Sequence, residues 1–368
     1  MKKLFQDNLN KHALIGKKKS LKSLKRKGKV YGRFKPPLID KVVNLSNYKI
    51  INAPEKVSIY DAEKPTKESY IETLKFREDL SKYLNKKDCV IDFSTTMNIT
   101  AAAMLVIFSE IQTLVETGSS NTIIGWSKVS PSVNRMLKRT GLKKLLRKKD
   151  SVHNFSGLRN LPIISGTGSQ HYDDIVDFII TRYFHDSASP DTEYLISDAV
   201  SEAINNVSRH AYPDLDVEDK RWWLTCDVIG NQLYLAIYDR GIGIPHTVVE
   251  KRWFWSSLKA TYPEIHDELK EKLGEKSSVV EIFKLTKYKD AELIYLSMIG
   301  DISGTQKSKH GQGSKSFKAL VNNTDGGRLW VYSNKGLYIF ENDDAPPQVY
   351  KLPKDIGGTL NQWNISLK

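Results

Sequence analysis

Two cysteines, Cys89 and Cys226, are all that 368 residues contain. A disulfide framework or a zinc site needs more thiols at closer spacing, so neither organises this chain, and a reducing, cytoplasmic setting is expected. Long apolar runs are missing as well. The longest, Ala101–Phe108 (AAAMLVIF), falls far short of the roughly 20 residues that cross a bilayer, and no membrane association is expected. The opening MKKLFQDNLNKHALIG lacks an apolar stretch followed by a small-residue cleavage site, so no secretory leader is expected either. Acid is nearly absent from residues 1–36, where 11 Lys and 2 Arg face Asp7 alone. Almost all of the net charge of +13 therefore sits in one basic arm, and the remainder is close to neutral. The centre of the arm, KKKSLKSLKRKGK (Lys17–Lys29), suits phosphates of a nucleic acid, but a solvated tail accounts for it equally well.

What is present is an ordinary globular composition, 40% hydrophobic, over a length that accommodates two domains. From residue 37 to 155 strands alternate with helices. Cys89–Phe93 (CVIDF) and Thr122–Trp126 (TIIGW) read as buried strands. Ile99–Val115 carries a helical apolar repeat, and Ser130–Leu146 is a helix opened by Ser-Pro. Residues 156–170, ending IISGTGSQ, sustain no period and are expected to link the halves. From 171 to 368 come two helices, Tyr172–Tyr183 and Thr192–His210, then the hairpin Trp222–Val228 and Leu233–Tyr238 around Gly230-Asn231. Strands follow at Arg328–Ser333, Gly336–Phe340 and Thr359–Ser366. The expected class is α/β followed by α+β, the second a mixed sheet with helices on one face.

Three stretches carry chemistry. In SEAINNVSRHAYPD (Ser201–Asp214), Glu202, Asn206 and His210 recur every fourth residue and so share one helical stripe, whereas Asn205 does not. Alone this is a solvent-facing polar stripe. At the end of the LYLAIY strand stands DRGIGIP (Asp239–Pro245), an acid leading into glycines that permit close backbone approach. Then HGQGSKSFKAL (His310–Leu320) is a glycine-rich loop opening a helix, whose free N–H groups suit phosphate.

In this order the three motifs resemble the N box and the two glycine boxes of the Bergerat-fold, or GHKL, ATPases, a group that includes DNA gyrase and the histidine kinases. The resemblance covers about the last half of the chain and implies ATP and Mg²⁺. It implies that Asn206 holds the metal on the triphosphate and that Glu202 orients or deprotonates the attacking oxygen. It further implies that Asp239 accepts from the adenine amino group, with Gly241 and Gly243 making room for the base. Phosphates would fall to His310, Gly311 and Gly313, and Thr359, after Gly357-Gly358, would lie near the adenine.

Local likeness, Ser201-Glu202-Ala203, Asn206 and His210-Ala211-Tyr212, is to the anti-sigma-factor serine kinases. Residues 37–155 in turn resemble the STAS fold of anti-sigma-factor antagonists, through Asp92-Phe93-Ser94 and Lys138–Leu142 (KRTGL). Ile99 stands where that fold's phosphorylated serine falls, and Thr100 is the one nearby hydroxyl in register, so docking or packing is expected there rather than a phospho-switch. Residues 248–309 form an enlarged lid whose Trp253, Phe254 and Trp255 are expected to pack rather than stack on a base. Residues 341–355 are a further insertion.

The expectation is an ATPase or protein serine/threonine kinase acting in a regulatory switch with a protein partner, and a dimer is allowed. The alternative is an ATP-gated clamp or sensor on nucleic acid, using residues 1–36. A module that holds ATP without turnover is disfavoured by Glu202.

Overall fold

The computed structural model describes residues 45–64, 66–118, 121–147, 155, 157–185, 188–273, 289–303, 313–324 and 326–367. All of them belong to a single compact unit that begins at Asn44. It opens with strands β1 (Lys49–Asn52) and β2 (Lys56–Val57) and helix α1 (Glu68–Tyr83). Strands β3 (Cys89–Asp92) and β4 (Asn98–Ile99) lead into α2 (Ala101–Thr117), followed by β5 (Thr122–Gly125), α3 (Pro131–Arg139) and α4 (Leu142–Leu146). The sequence pattern runs the last two together, but Gly141 adopts φ +83°, which an α-helix cannot continue through. Strands β1, β3 and β5 pair in parallel in the order β1-β3-β5, and β2 pairs with β4.

The larger sheet holds β6 (Ile164–Thr167), β7 (Arg221–Ile229), β8 (Gln232–Asp239), β9 (Arg328–Ser333), β10 (Gly336–Phe340), β11 (Gln348–Lys351) and β12 (Thr359–Ser366). Their order is β11-β10-β9-β12-β8-β7-β6. Two expectations change here. The 156–170 stretch is not a plain linker, because Ile164–Thr167 pairs antiparallel with β7 as the sheet edge. The 341–355 insertion supplies β11, the opposite edge.

One face of this sheet is covered by helices. Leu224, Leu235, Ile237, Val331 and Trp363 pack there with Ile175 and Ile179 of α5 (Tyr172–Tyr183) and with Ile196, Val200 and Ala203 of α6 (Pro190–Asn206). Helix α6 starts where Ser189 accepts from the Thr192 amide at 3.1 Å, with Pro190 in the first turn, a position where the lost N–H costs nothing.

The other face is not open, contrary to the one-sided sheet expected. Trp223, Tyr238, Trp330, Tyr332, Leu337 and Leu360 point that way and share one buried cluster with Leu74, Ile91, Met104 and Phe108 of the first α/β layer. Polar contacts cross the same boundary. Trp223 Nε1 donates to Gln112 Oε1 at 2.9 Å, Gln362 Nε2 to Tyr60 Oη at 2.6 Å, and Tyr70 Oη to the Lys354 carbonyl at 2.9 Å. Arg139 pairs with Asp227 on β7. Strands such as β10, buried at every residue, are those of a sheet covered on both sides. The 37–155 and 171–368 portions thus share one core instead of standing apart.

Helix α7 (Ile244–Val248) leads into the expected lid, within which α8 (Phe254–Thr261), α9 (Pro263–Leu273) and α10 (Asp290–Ser303) are described. Val248, Phe254, Leu258, Leu269, Leu293 and Leu296 make a small core of their own. Trp255 meets Phe254 and His266 edge-on at 5.4 and 5.9 Å, so the aromatics pack among lid residues. Helix α11 (Gly313–Asn322) packs against α6.

Candidate functional site

The site grows from one row of the large sheet. Asp239 ends β8, Thr359 begins β12 and Ser333 ends β9, and the three stand opposite one another in register. Neighbours in register point to the same face, here the helix-covered one. The Thr359 and Ser333 hydroxyls lie 3.0 Å apart, and Ser333 Oγ also accepts from the Ile244 amide at 2.9 Å. Asp239 is 6% exposed and accepts from the Gly241 amide at 2.8 Å. Burial raises its carboxyl to about 7, against the opposing pull of the Gly241 and Thr359 amides.

The turn after Asp239 is clamped from two sides. Ile242 donates its amide to the Ala211 carbonyl at 2.8 Å, and Asn334 Nδ2 donates to the Ile242 carbonyl at 3.0 Å. A Cβ on Gly241 would stand 2.2 Å from the Ala211 oxygen, and Gly243, at φ +87°, faces Asn334 just as closely. Both glycines therefore serve close approach of protein to protein. Tyr212 Oη accepts from the Arg240 amide and donates to the Arg221 carbonyl, each at 2.8 Å.

Ala211 is the end of the helix that carries the polar stripe, so the first two motifs meet. Glu202 and Asn206 are half-buried on the last turns of α6. Beyond Asn206 the backbone widens into a π turn over Val207–Ala211, an irregularity found often at functional sites. His210 lies in it, and burial together with the Lys251 and Arg209 charges lowers its imidazole to about 4. It is neutral near pH 7. Of the third motif, Gly313 begins α11, while His310 and Gly311 lie outside the described residues, as does the 1–36 arm.

Ser333 and Asn334 belong to this site although no motif marks them. A serine-asparagine pair ending the apolar strand RLWVY is their only trace in the sequence. Asn361 adds another feature, since its Oδ1 is buried without a partner. It lies one pleat along β12 from Thr359, on the same face. A buried acid with an acceptor to spare and an unpartnered amide oxygen suit a ligand that brings N–H donors. Glu202 and Asn206 supply hard oxygen donors of the kind Mg²⁺ takes, one or two from protein and the rest from phosphate and water. These are donors and acceptors of the kind that the implied groups would need, while the space beside Gly241 and Gly243 is filled by Ala211 and Asn334 instead of being left for a base. Thr100, by contrast, keeps its Oγ1 buried and unpartnered at the start of α2.

The raised carboxyl of Asp239 has a measurable effect on folding. Its folded value, about 7, exceeds the ordinary 3.8, so between these the folded chain binds more protons than the unfolded one, and stability falls as pH rises. Relative to Asp239→Asn, the wild type is expected to lose up to about 4 kcal/mol from pH 4 to 8, at 1.36 kcal/mol per unit between the two values, and to level off above. Urea midpoints of both proteins across that range test this.

Compared with models of known protein families the chain matches none, and it has no match among curated proteins.

Proposed function

We propose that the protein binds Mg-ATP in this site and turns it over as a GHKL-type regulatory enzyme, its first α/β layer being STAS-like and its large sheet with α5, α6 and α11 being Bergerat-like. The observation that carries the reading is the buried Asp239 carboxyl at a strand end, in register with Thr359 and Ser333 and tied through Ile242 to the end of the Glu202–Asn206 helix.

In this reading Asp239 accepts from the adenine amino group through the carboxylate oxygen that does not face Gly241. Thr359 and Asn361 lie beside it on the same face of the sheet. Asn206 would hold the metal through its carboxamide oxygen, placing positive charge against the triphosphate oxygens. Glu202, one turn back on the same stripe, orients the attacking hydroxyl and accepts its proton. Gly313 and the start of α11 offer backbone N–H groups to phosphate.

Water and a protein hydroxyl can both be attacking groups, and Glu202 serves either. Thr100 is a poor acceptor because its Oγ1 is shielded, so the acceptor is not placed there in this reading. Glu202→Ala is expected to keep ATP affinity within about threefold while turnover falls by roughly 10²–10⁴. Filter binding beside release of γ-labelled phosphate, with and without candidate protein acceptors, reads both quantities. Unchanged turnover in this variant would remove Glu202 from the reaction.

A further inference from the structure

On the opposite side of the Asp239 turn, between α1 and the sheet, lies a cleft of about 430 Å³ walled by Arg77, Glu78, Ser81, Lys82, Glu110, Arg240 and Gly357. Its size is that of a small-molecule site. Three cations face two acids there, and both acids have a cation already. Glu110, with a side chain only 7% exposed, pairs with Arg240 at 3.0 Å and accepts from Ser81 Oγ at 2.7 Å. Glu78 takes Lys354 Nζ at 2.7 Å on both oxygens.

Arg77 has no acid within ion-pair reach among the described residues. It donates to the backbone carbonyls of Ile356 and Asp355, the latter at 3.1 Å. Lys82 is exposed at the rim, its Nζ over the Tyr83 ring at 5.1 Å. The floor is backbone at Gly357, where an added Cβ would come within 3.2 Å of Arg77 Nη1, so the guanidinium and a bare peptide lie side by side. A guanidinium held in place by carbonyls and short of negative charge is a fork for a planar or tetrahedral oxyanion.

We propose that this cleft is a ligand site distinct from the site at Asp239, and that it takes a small molecule bearing a phosphate or carboxylate group. Arg77 holds the anionic group as a fork, and Lys82 closes on it from the rim. Arg240 lies between Asp239 and Gly241 in the chain, so a ligand here rests on the back of the turn that follows Asp239.

The test is titration of the full-length protein with inorganic phosphate and, separately, with citrate, followed by calorimetry at low ionic strength. Saturable binding to the wild type is expected for at least one of them, and the stronger identifies the anion class. Arg77→Gln is expected to weaken it at least tenfold, and Lys82→Gln about threefold. Because Arg77 also braces the 355–357 loop, Arg77→Gln could unfold, and then Lys82→Gln decides, since an exposed lysine removes nothing from the fold. No saturable binding of either anion, or binding unchanged in Lys82→Gln and in folded Arg77→Gln, would overturn the proposal.

Discussion

Asp239→Asn is expected to weaken ATP binding about 100-fold. A hydrogen bond to a buried charged acceptor contributes about 1.5–3 kcal/mol, and the amide sets an N–H donor where the adenine amino group also brings one. A loss of roughly 3 kcal/mol is two decades of affinity. The fold should tolerate the change. The new Oδ1 can still accept from the Gly241 amide, and a neutral side chain avoids the cost of a buried carboxylate whose value stands near 7. The variant should therefore melt no lower than the wild type at pH 8 while failing to bind. The same carboxyl makes wild-type affinity depend on pH. The amino group needs the ionised form, so binding should strengthen as pH rises through about 7 and then level off. Calorimetric titration of both proteins at pH 6 and pH 8 tests both statements.

The second large effect concerns the whole molecule. A fragment of residues 156–368 contains every element of the large sheet, yet it is expected not to fold alone. Removing the first layer uncovers Trp223, Tyr238, Trp330, Tyr332, Leu337 and Leu360, all buried in the shared cluster. At roughly 2 kcal/mol for each large side chain, the loss is about 12 kcal/mol, as large as the whole stability of an ordinary domain. The fragment should be aggregated or lack near-ultraviolet dichroism, and the full chain should melt in one transition. A soluble fragment with a cooperative melt and native dichroism would show that the two layers are separable after all.

That shared core was only half legible in the sequence. The alternation of Leu233–Tyr238 announces a strand, but a tyrosine reads as an outward residue unless something covers it, and here Tyr238 is 1% exposed. Four residues, ISGT, with a serine, a glycine and a threonine among them, carry too little pattern to announce an edge strand, so β6 was hidden in an apparent linker. Helix boundaries read well where chemistry marks them. Ser130-Pro131 opens a helix in the sequence and in the fold, whereas Ser189-Pro190, which reads as loop ahead of a helix at Thr192, in fact caps and opens α6. At the site, Asp239 with its glycines and the Glu202–Asn206 stripe stand out because they occur together in one order along the chain, although each alone is ordinary. Ser333 and Asn334 do not stand out, since they enter by register across β9 and β12, a relation between strands distant in the chain.

Equilibrium binding of Mg-ATP to the wild-type protein tests the central claim most directly. The account predicts saturable binding of one nucleotide per chain, lost in Asp239→Asn and retained in Glu202→Ala. Absence of binding at millimolar Mg-ATP by a folded wild-type protein, or equal affinity in Asp239→Asn, would contradict it.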